Sequence, residues 1–358
     1  MKTIIKFIAA AFCVGALVPT GMTSCTDMGG DGIDSVLWQG SQNPENSNFH
    51  NPVFEPSLDG GTLVKGASMY VALSATTQWT PGLTNLCPAL TSGNLMTWQR
   101  ANDAFDTDKF PITWGDGRVN SLSVDYARAV TGATYWMFYT LDGGKSIGAA
   151  SATTAQGPYT DRGEFLKPED VGATKLADPF FFVVSTSYYL CYTADDGVYI
   201  VKLKLNKNSG ASLNGTPTKI AAAGMSDVAI FRKSSSEIYL LATVSTGSGT
   251  EIRYGKASDV TGPYTDKSGS SMADGSKGEL LIEGGTTMLN PGNPMRVFLN
   301  SEQTHAYVAY NATEAGNAQM KSGYVRRPMM VSPVELTEDG WFKASVKAEK
   351  GWTAPKFE

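Results

Sequence analysis

The chain alternates short apolar segments with clusters of glycine, serine, asparagine and aspartate, and it shows little sustained helical periodicity. Five of the apolar segments share one pattern, in which aromatic and β-branched residues usually end in a small or hydroxyl residue. They are residues 69–74, 135–140, 188–193, 238–243 and 305–310. Apolar runs of this kind between turn clusters predict strands, and the chain is therefore expected to be all-β.

The five segments recur at a regular spacing. Successive copies lie about fifty to seventy residues apart, which is close to the period of propeller blades or solenoids. Five blades of four short antiparallel strands would use about 300 residues. The spacing therefore predicts a five-bladed β-propeller.

A polar residue precedes each of the five segments. Glu55, Asp125, Asp178 and Asp227 precede the first four, and Asn293 precedes the fifth. A single carboxylate before a strand is usually a solvated turn residue. In a propeller, however, the innermost strands surround the central axis, so equivalent positions in different blades converge. Four carboxylates in register with the repeat therefore predict a shared axial pocket.

Composition narrows the chemistry of that pocket. The net charge of −5 over 358 residues gives no electrostatic footprint for nucleic acid or anionic lipid. Two histidines and four cysteines leave little material for a Cys/His zinc cluster or a Ser-His-Asp triad. Acid–base work is expected to fall to carboxylates, with no cofactor. A structural calcium ion on the propeller axis remains an alternative, although no sequence pattern indicates one. The protein is expected to be a monomer.

The N-terminus has the form of an export signal. Lys2 and Lys6 precede an apolar run at residues 7–18 that is too short to span a bilayer. The following Gly-Met-Thr-Ser-Cys, ending at Cys25, resembles a bacterial lipobox. We therefore predict a signal peptide (1–24), a lipid-anchored tether (25–40) acylated at Cys25, and a propeller domain (41–358). Ordinary signal cleavage beside an incidental cysteine is the alternative.

This interpretation places the protein on the outer membrane, and the sequence leaves open which face of that membrane carries the anchor. Cys87 and Cys191 are then the remaining cysteines of the mature chain. An oxidising compartment permits a disulfide between them. Cys191 lies in an apolar strand-like run, which favours a buried free thiol.

Several motifs carry a family resemblance. They are His-Asn-Pro-Val-Phe-Glu-Pro-Ser-Leu at 50–58, Thr-Ser-Gly-Asn-Leu-Met-Thr-Trp at 91–98, Gly-Pro-Tyr-Thr-Asp at 157–161 and 262–266, Ala-Asp-Pro-Phe-Phe-Phe at 177–182, and Asp-Gly-Trp at 339–341. In their order and spacing they resemble glycoside hydrolase family 43. The resemblance covers residues 48 to 345.

The resemblance implies an inverting hydrolase of arabinose- or xylose-containing polysaccharide fragments, with one carboxylate as general base and another as general acid. By position, Glu55 takes the base role where the family has Asp. Asp227 takes the acid role where the family has Glu, and Asp178 takes the role of the carboxylate that tunes the acid. The exchange of Glu and Asp moves each carboxylate by about an ångström, a shift that can cost ~10²-fold in rate.

Further residues are candidates for substrate binding. Asp125 and Asn293 take axial positions by the same resemblance. Trp79 and Trp114 are candidates for stacking against a sugar, although packing between blades is the alternative for both. The remaining candidates are Arg296 and Arg326. For each of them the alternatives are pairing with an axial carboxylate and solvation at the surface.

Two other functions remain compatible with the same pattern. One is a non-catalytic propeller that binds glycans at the cell surface. The other is a propeller that serves as a platform for protein interactions.

Overall fold

A computed structural model describes residues 37–39, 42–43 and 48–353, except residues 67, 107–111, 113, 116, 129, 131 and 133. The predicted signal peptide, Cys25 and most of the predicted tether lie outside the described residues. The described part is almost entirely β-structure, interrupted by a short 3-10 helix at Pro168–Val171.

The first blade is an antiparallel sheet whose strand order is β1-β9-β8-β5-β4. The strands of this part of the chain are β1 (Leu37–Gln39), β2 (Gln42–Asn43), β3 (Asn48–Asn51), β4 (Thr62–Lys65), β5 (Tyr70–Leu73), β6 (Thr77–Thr80), β7 (Leu83–Asn85), β8 (Pro88–Ser92) and β9 (Thr97–Asp103). Strands β6 and β7 form a separate hairpin, and β4 is the inner strand of the blade.

The second and third blades are meanders that run outward from their first strands. Blade 2 contains β10 (Val119–Tyr126), β11 (Tyr135–Leu141), β12 (Ile147–Ala152) and β13 (Thr160–Leu166). Blade 3 contains β14 (Ala177–Val184), β15 (Ser187–Ala194), β16 (Gly197–Asn206), β17 (Gly210–Leu213) and β18 (Thr218–Ala222), with both β17 and β18 paired to β16.

The last two blades follow the same plan. Blade 4 contains β19 (Met225–Arg232), β20 (Ile238–Thr246), β21 (Gly249–Ala257), β22 (Glu279–Gly284) and, paired in parallel with β22, β26 (Val346–Ala348). Blade 5 contains β23 (Met288–Leu299), β24 (His305–Glu314) and β25 (Met329–Glu335). The final strand, β27 (Gly351–Thr353), pairs with β3. The predicted all-β, five-bladed β-propeller is confirmed.

The two ends of the domain meet at blade 5. Phe54 forms a β-bridge with Met329. The side-chain amide of Asn51 donates to the Val331 carbonyl at 2.8 Å, and its oxygen accepts from the Val331 amide at 3.0 Å. The segment before blade 1 therefore covers the outer strand of blade 5 and closes the ring.

The apolar core is divided into layers that lie between successive blades. One buried cluster joins blades 1 and 2, others join blades 2 and 3, 3 and 4, and 4 and 5, and one joins blade 5 back to blade 1. Trp98 and Trp136 are fully buried, and Cys87 and Cys191 are buried free thiols. Among the described residues, no helix has the length and apolarity needed to cross a membrane.

Candidate active site

Equivalent positions near the axis share an unusual backbone conformation. Asp178, Asp227 and Asn293 have φ angles of +49°, +42° and +47°, and Gly60, before β4, has a φ of +59°. The strand register shifts beside each of the three non-glycine residues, which marks a β-bulge. A left-handed non-glycine residue costs about 1 to 3 kcal/mol. The repetition of this cost around the axis marks the small cavity that these residues line as a candidate functional site.

Asp178 and Asp227 form a carboxyl pair in that cavity. Their side chains are hydrogen-bonded to each other, and both are only partly accessible to solvent. Burial raises the pKa of both groups, and the negative charge of Asp227 raises the pKa of Asp178 further. A buried pair of this kind holds a proton that isolated aspartates would lose below neutral pH. The pair is therefore equipped to donate a proton.

A third carboxylate, that of Asp59, lies beside this pair. Its Oδ1 is 3.2 Å from Nη1 of Arg327, and its side chain is 40% exposed. Both groups act on Asp227, since Arg327 lowers the pKa of that carboxyl and Asp59 raises it. Asp59 also lines an adjoining cavity of about 340 Å³, together with Asn120 and Tyr324.

Arg327 is held in place by blade 5 and by the start of blade 1. Its Nη2 donates to the carbonyl of Asn290 at 3.3 Å, and its backbone amide donates to Ser57 Oγ at 3.1 Å. Among the described residues its buried Nε–H has no hydrogen-bond acceptor. An unsatisfied buried donor of this kind is costly, so the position of Arg327 is held against an energetic penalty.

The model of one family, glycosyl hydrolases family 43, matches residues 49–342. The chain belongs to this family. Family 43 is a family of glycosidases, so the expectation of an enzyme that hydrolyses O-glycosyl bonds is confirmed at the level of the family.

Individual relatives are more distant. An extracellular endo-α-(1→5)-L-arabinanase 1 from Bacillus subtilis (strain 168) is 24% identical over 324 residues, covering 86% of this chain and 91% of that protein. The structure of Cellvibrio cellulosa α-L-arabinanase complexed with arabinohexaose is 17% identical, with a TM-score of 0.61, covering 82% of this chain and 100% of that chain. An exo-1,5-α-L-arabinanase from a bovine ruminal metagenomic library is 15% identical, with a TM-score of 0.59. The match covers 83% of this chain and 97% of that chain. The two structures support the fold.

Three of the residues predicted for the family 43 site lie together at the axis. They are Asp178, Asp227 and Asn293, which line one cavity. The Asn293 amide donates to the Gly61 carbonyl at 3.1 Å and to Asn311 Oδ1 at 2.8 Å. Asn293 thus links blade 5 to blade 1 at the edge of the pair.

The structure does not support Glu55 as the family's base. Glu55 is 7% exposed, and its carboxylate lies 3.0 Å from Nη2 of Arg326 and 3.8 Å from Nζ of Lys350. Glu314 pairs with the same two cations. This four-charge cluster ties the first blade to the C-terminal end of the domain, and neither Asp178 nor Asp227 is part of it. Arg326 therefore lies in this ion cluster, away from the acid pair, and its role in substrate binding stays a prediction.

Asp125 and Arg296 are also not at the acid pair. Nη1 of Arg296 lies 3.5 Å from Oδ2 of Asp125. Each of the two residues follows the β-bulge of its own inner strand by three to five positions. Asp125 lies near the end of β10, where it accepts from the Val183 amide at 3.1 Å. The predicted axial convergence therefore holds for these two residues, but at the opposite end of the axis.

Neither tryptophan is placed to stack on a sugar at the acid pair. Trp79 is 8% exposed, donates to the Ser57 carbonyl at 3.0 Å and packs on Phe54. Trp114 donates to the Tyr139 hydroxyl at 3.0 Å and packs on that ring in blade 2. Both fulfil the packing alternative.

Sequence reasoning missed Asp59 and Arg327, which adjoin the acid pair. A signal for Asp59 was present, since it precedes Tyr70 by the same 11 residues by which Asp178 precedes Tyr189. No comparable signal distinguished Arg327 from Arg326. Within the described residues, no group of three or more His, Cys, Asp or Glu side chains is placed to hold a metal ion.

Proposed function

We propose that the protein is an inverting glycosidase of arabinose- or xylose-containing glycan fragments, in which Asp59 replaces Glu55 as the general base. The observation that carries the proposal is the buried, hydrogen-bonded carboxyl pair at the axis with a separate, partly exposed carboxylate beside it. Such a set supplies both partners of an inverting reaction, a proton donor on one side of the bond and an activator of water on the other. The assignment to these sugars is supported by the arabinanase relatives.

The proton donor is the pair of Asp178 and Asp227. Burial raises the pKa of both carboxyls, and the charge of Asp227 raises that of Asp178 further, so the pair holds one proton. In the reaction, Asp227 delivers this proton to the glycosidic oxygen as the bond to the anomeric carbon breaks. The hydrogen bond between the two side chains lets the proton held by Asp178 move to Asp227, from which it reaches the glycosidic oxygen.

The base is Asp59, which accepts a proton from the water that attacks the anomeric carbon. Its ion pair with Arg327 fixes the carboxylate in position while leaving 40% of the side chain exposed. The Arg327 side chain is 21% exposed, and an N–H of its terminal Nη groups donates to a substrate hydroxyl. A base and a hydroxyl donor held by one another orient the sugar relative to the water, which is a main source of catalytic rate.

One observation favours a second candidate function, that of a glycan-binding propeller without turnover. Glycine, Gly60, occupies the left-handed axial position that carries a carboxylate in blades 3 and 4. Asp59 lies one residue earlier, so the base reaches the site from a different backbone position. If that placement leaves no room for the water, the site would bind sugar and leave the bond intact.

Turnover and its stereochemistry separate the two functions. Arabinan, arabinoxylan and their oligosaccharides should be screened for release of reducing sugar, and the first product anomer should be followed by proton NMR. We expect release with inversion, and a loss of at least ~10²-fold in Asp227→Asn, as general acid removal costs ~10² to 10⁴. Binding of the same oligosaccharides by wild type and Asp227→Asn without release from either would establish the binding function instead.

We also propose export with acylation at Cys25. The N-terminal pattern supports it, and one relative is named as extracellular. In a bacterial host, labelled palmitate should enter wild type but not Cys25→Ser. Equal labelling of both proteins, or of neither, would contradict acylation at this residue.

A further inference from the structure

A second cavity, of about 380 Å³, lies at the end of the axis opposite the acid pair. Its walls are formed by residues that follow the bulges by three to seven positions on the inner strands of blades 3, 4 and 5. Apolar side chains predominate, among them Phe182, Ile230, Phe298 and, from a loop of blade 4, Val260. The volume is within the range of sites for small molecules.

The Arg296 guanidinium forms the floor of this cavity and closes it toward the acid pair. From blade 5 its Nε donates to the Leu63 carbonyl of blade 1 at 3.0 Å, and its Nη2 donates to the Val124 carbonyl of blade 2 at 3.3 Å. The guanidinium also lies 6.0 Å from the centre of the Phe180 ring of blade 3. Contacts with three other inner strands fix Arg296 across the channel, so the cavity is separate from the acid site.

The charge of the cavity is unbalanced. Arg296, Arg232 and Asp125 are its ionisable lining residues, which gives a net charge of +1. The Arg296 side chain is 19% exposed, and its pairing with Asp125 is long at 3.5 Å. The hydrogen bonds among the described residues use one N–H at each guanidinium nitrogen, so Nη1 and Nη2 each retain a second donor. A half-buried cation with unused donors favours an anion.

The walls decide which kind of anion fits. A neutral sugar carries hydroxyls around the edge of its ring, and the aromatic and aliphatic walls would leave most of these hydroxyls without partners. A carboxylate attached to a compact apolar body matches both the floor and the walls. We propose that this cavity is a second ligand site, which binds a small organic carboxylate with an aromatic or branched aliphatic body. This site does not depend on the function proposed for the acid pair.

Benzoate is a suitable probe, and benzyl alcohol is its neutral counterpart. Binding to the full protein should be followed by titration calorimetry and by NMR of isotope-labelled isoleucine and valine methyl groups. We expect benzoate to shift the signals of Ile230 and Val260 and to bind at least tenfold more tightly than benzyl alcohol. Higher salt should weaken the binding of benzoate but leave that of benzyl alcohol unchanged, because only benzoate binding includes a charge interaction.

Variants test the site without removing its floor. Val260→Trp fills the cavity and should abolish benzoate binding, while Arg232→Gln should weaken it about fivefold. Arg162→Gln, an arginine of blade 2 outside the cavity, should leave it unchanged. Equal affinity for benzoate and benzyl alcohol, unchanged binding to Val260→Trp, or no binding at all would overturn the proposal.

Discussion

Replacement of Asp178 by asparagine should stabilise the protein, and the gain should grow with pH. Burial and the charge of Asp227 raise the pKa of Asp178 from 3.8 to about 8. A folded-state pKa above the unfolded value means that the folded protein binds more protons. Stability of the wild type therefore falls as pH rises between these two values. Asparagine keeps the shape of the side chain but has no proton to lose.

The size of the effect follows from the same shift. Each pKa unit corresponds to about 1.4 kcal/mol, so the full cost of ionising Asp178 is about 6 kcal/mol at pH 8 and above. The cost is shared with Asp227, which stays buried in the variant. We therefore expect Asp178→Asn to gain about 2 to 3 kcal/mol of unfolding free energy at pH 8. At pH 4, far below the raised pKa of Asp178 and close to its ordinary value of 3.8, most of the gain should disappear.

Urea denaturation at pH 4, 6 and 8 measures this dependence. Asp195→Asn is the matched control, because hydrogen bonds from Thr174 lower the pKa of that exposed aspartate. Its folded-state pKa lies below the ordinary 3.8, so its substitution should change stability by nearly the same amount at pH 6 and pH 8. An equal gain for Asp178→Asn at all three pH values, or a loss that grows with pH, would refute the shared proton.

Three further substitutions test other parts of the structure. Glu55→Gln should lower the unfolding free energy by about 2 to 3 kcal/mol. This is less than the ~3 to 5 kcal/mol typical of breaking a buried ion pair, because Arg326 keeps the carboxylate of Glu314 as a partner. An unchanged thermal midpoint would contradict the ion cluster. Gly60→Ala should destabilise the protein, since its Cβ would lie 2.2 Å from the Asn120 carbonyl oxygen at a φ of +59°; a melting temperature equal to that of wild type would contradict this backbone. Arg327→Lys should keep the charge but lose one of the two terminal Nη groups, and should lower kcat/KM about 10- to 100-fold with a smaller change in stability; full activity would remove Arg327 from substrate positioning.

The sequence predicted the architecture and part of the site for physical reasons. Each blade must present an apolar strand to two neighbours, so the aromatic runs recur with the blade period. The polar residue before the strand recurs because each inner strand begins at the axis. This is why Asp178, Asp227 and Asn293 were found from spacing alone.

The remaining site residues could not be placed in this way. The Glu-Pro-Ser segment that begins at Glu55 matches the residue types of the family motif. The spacing of 11 residues before Tyr70 indicates Asp59 instead. Burial distinguishes the two, since Glu55 is enclosed among cations and Asp59 is open to the site. Such differences depend on side-chain partners from the far end of the chain, which spacing does not reveal. For the same reason Trp79 and Trp114 could not be separated from packing residues.

The most direct test of the account compares two carboxylates four residues apart. Asp59→Asn and Glu55→Gln should be assayed for kcat/KM on the substrate that wild type hydrolyses best, at a temperature where both variants are folded. We predict that Asp59→Asn loses at least ~10²-fold, as removal of a general base does, while Glu55→Gln stays within about threefold of wild type. A large loss in Glu55→Gln with normal turnover by Asp59→Asn would contradict the assignment of the base.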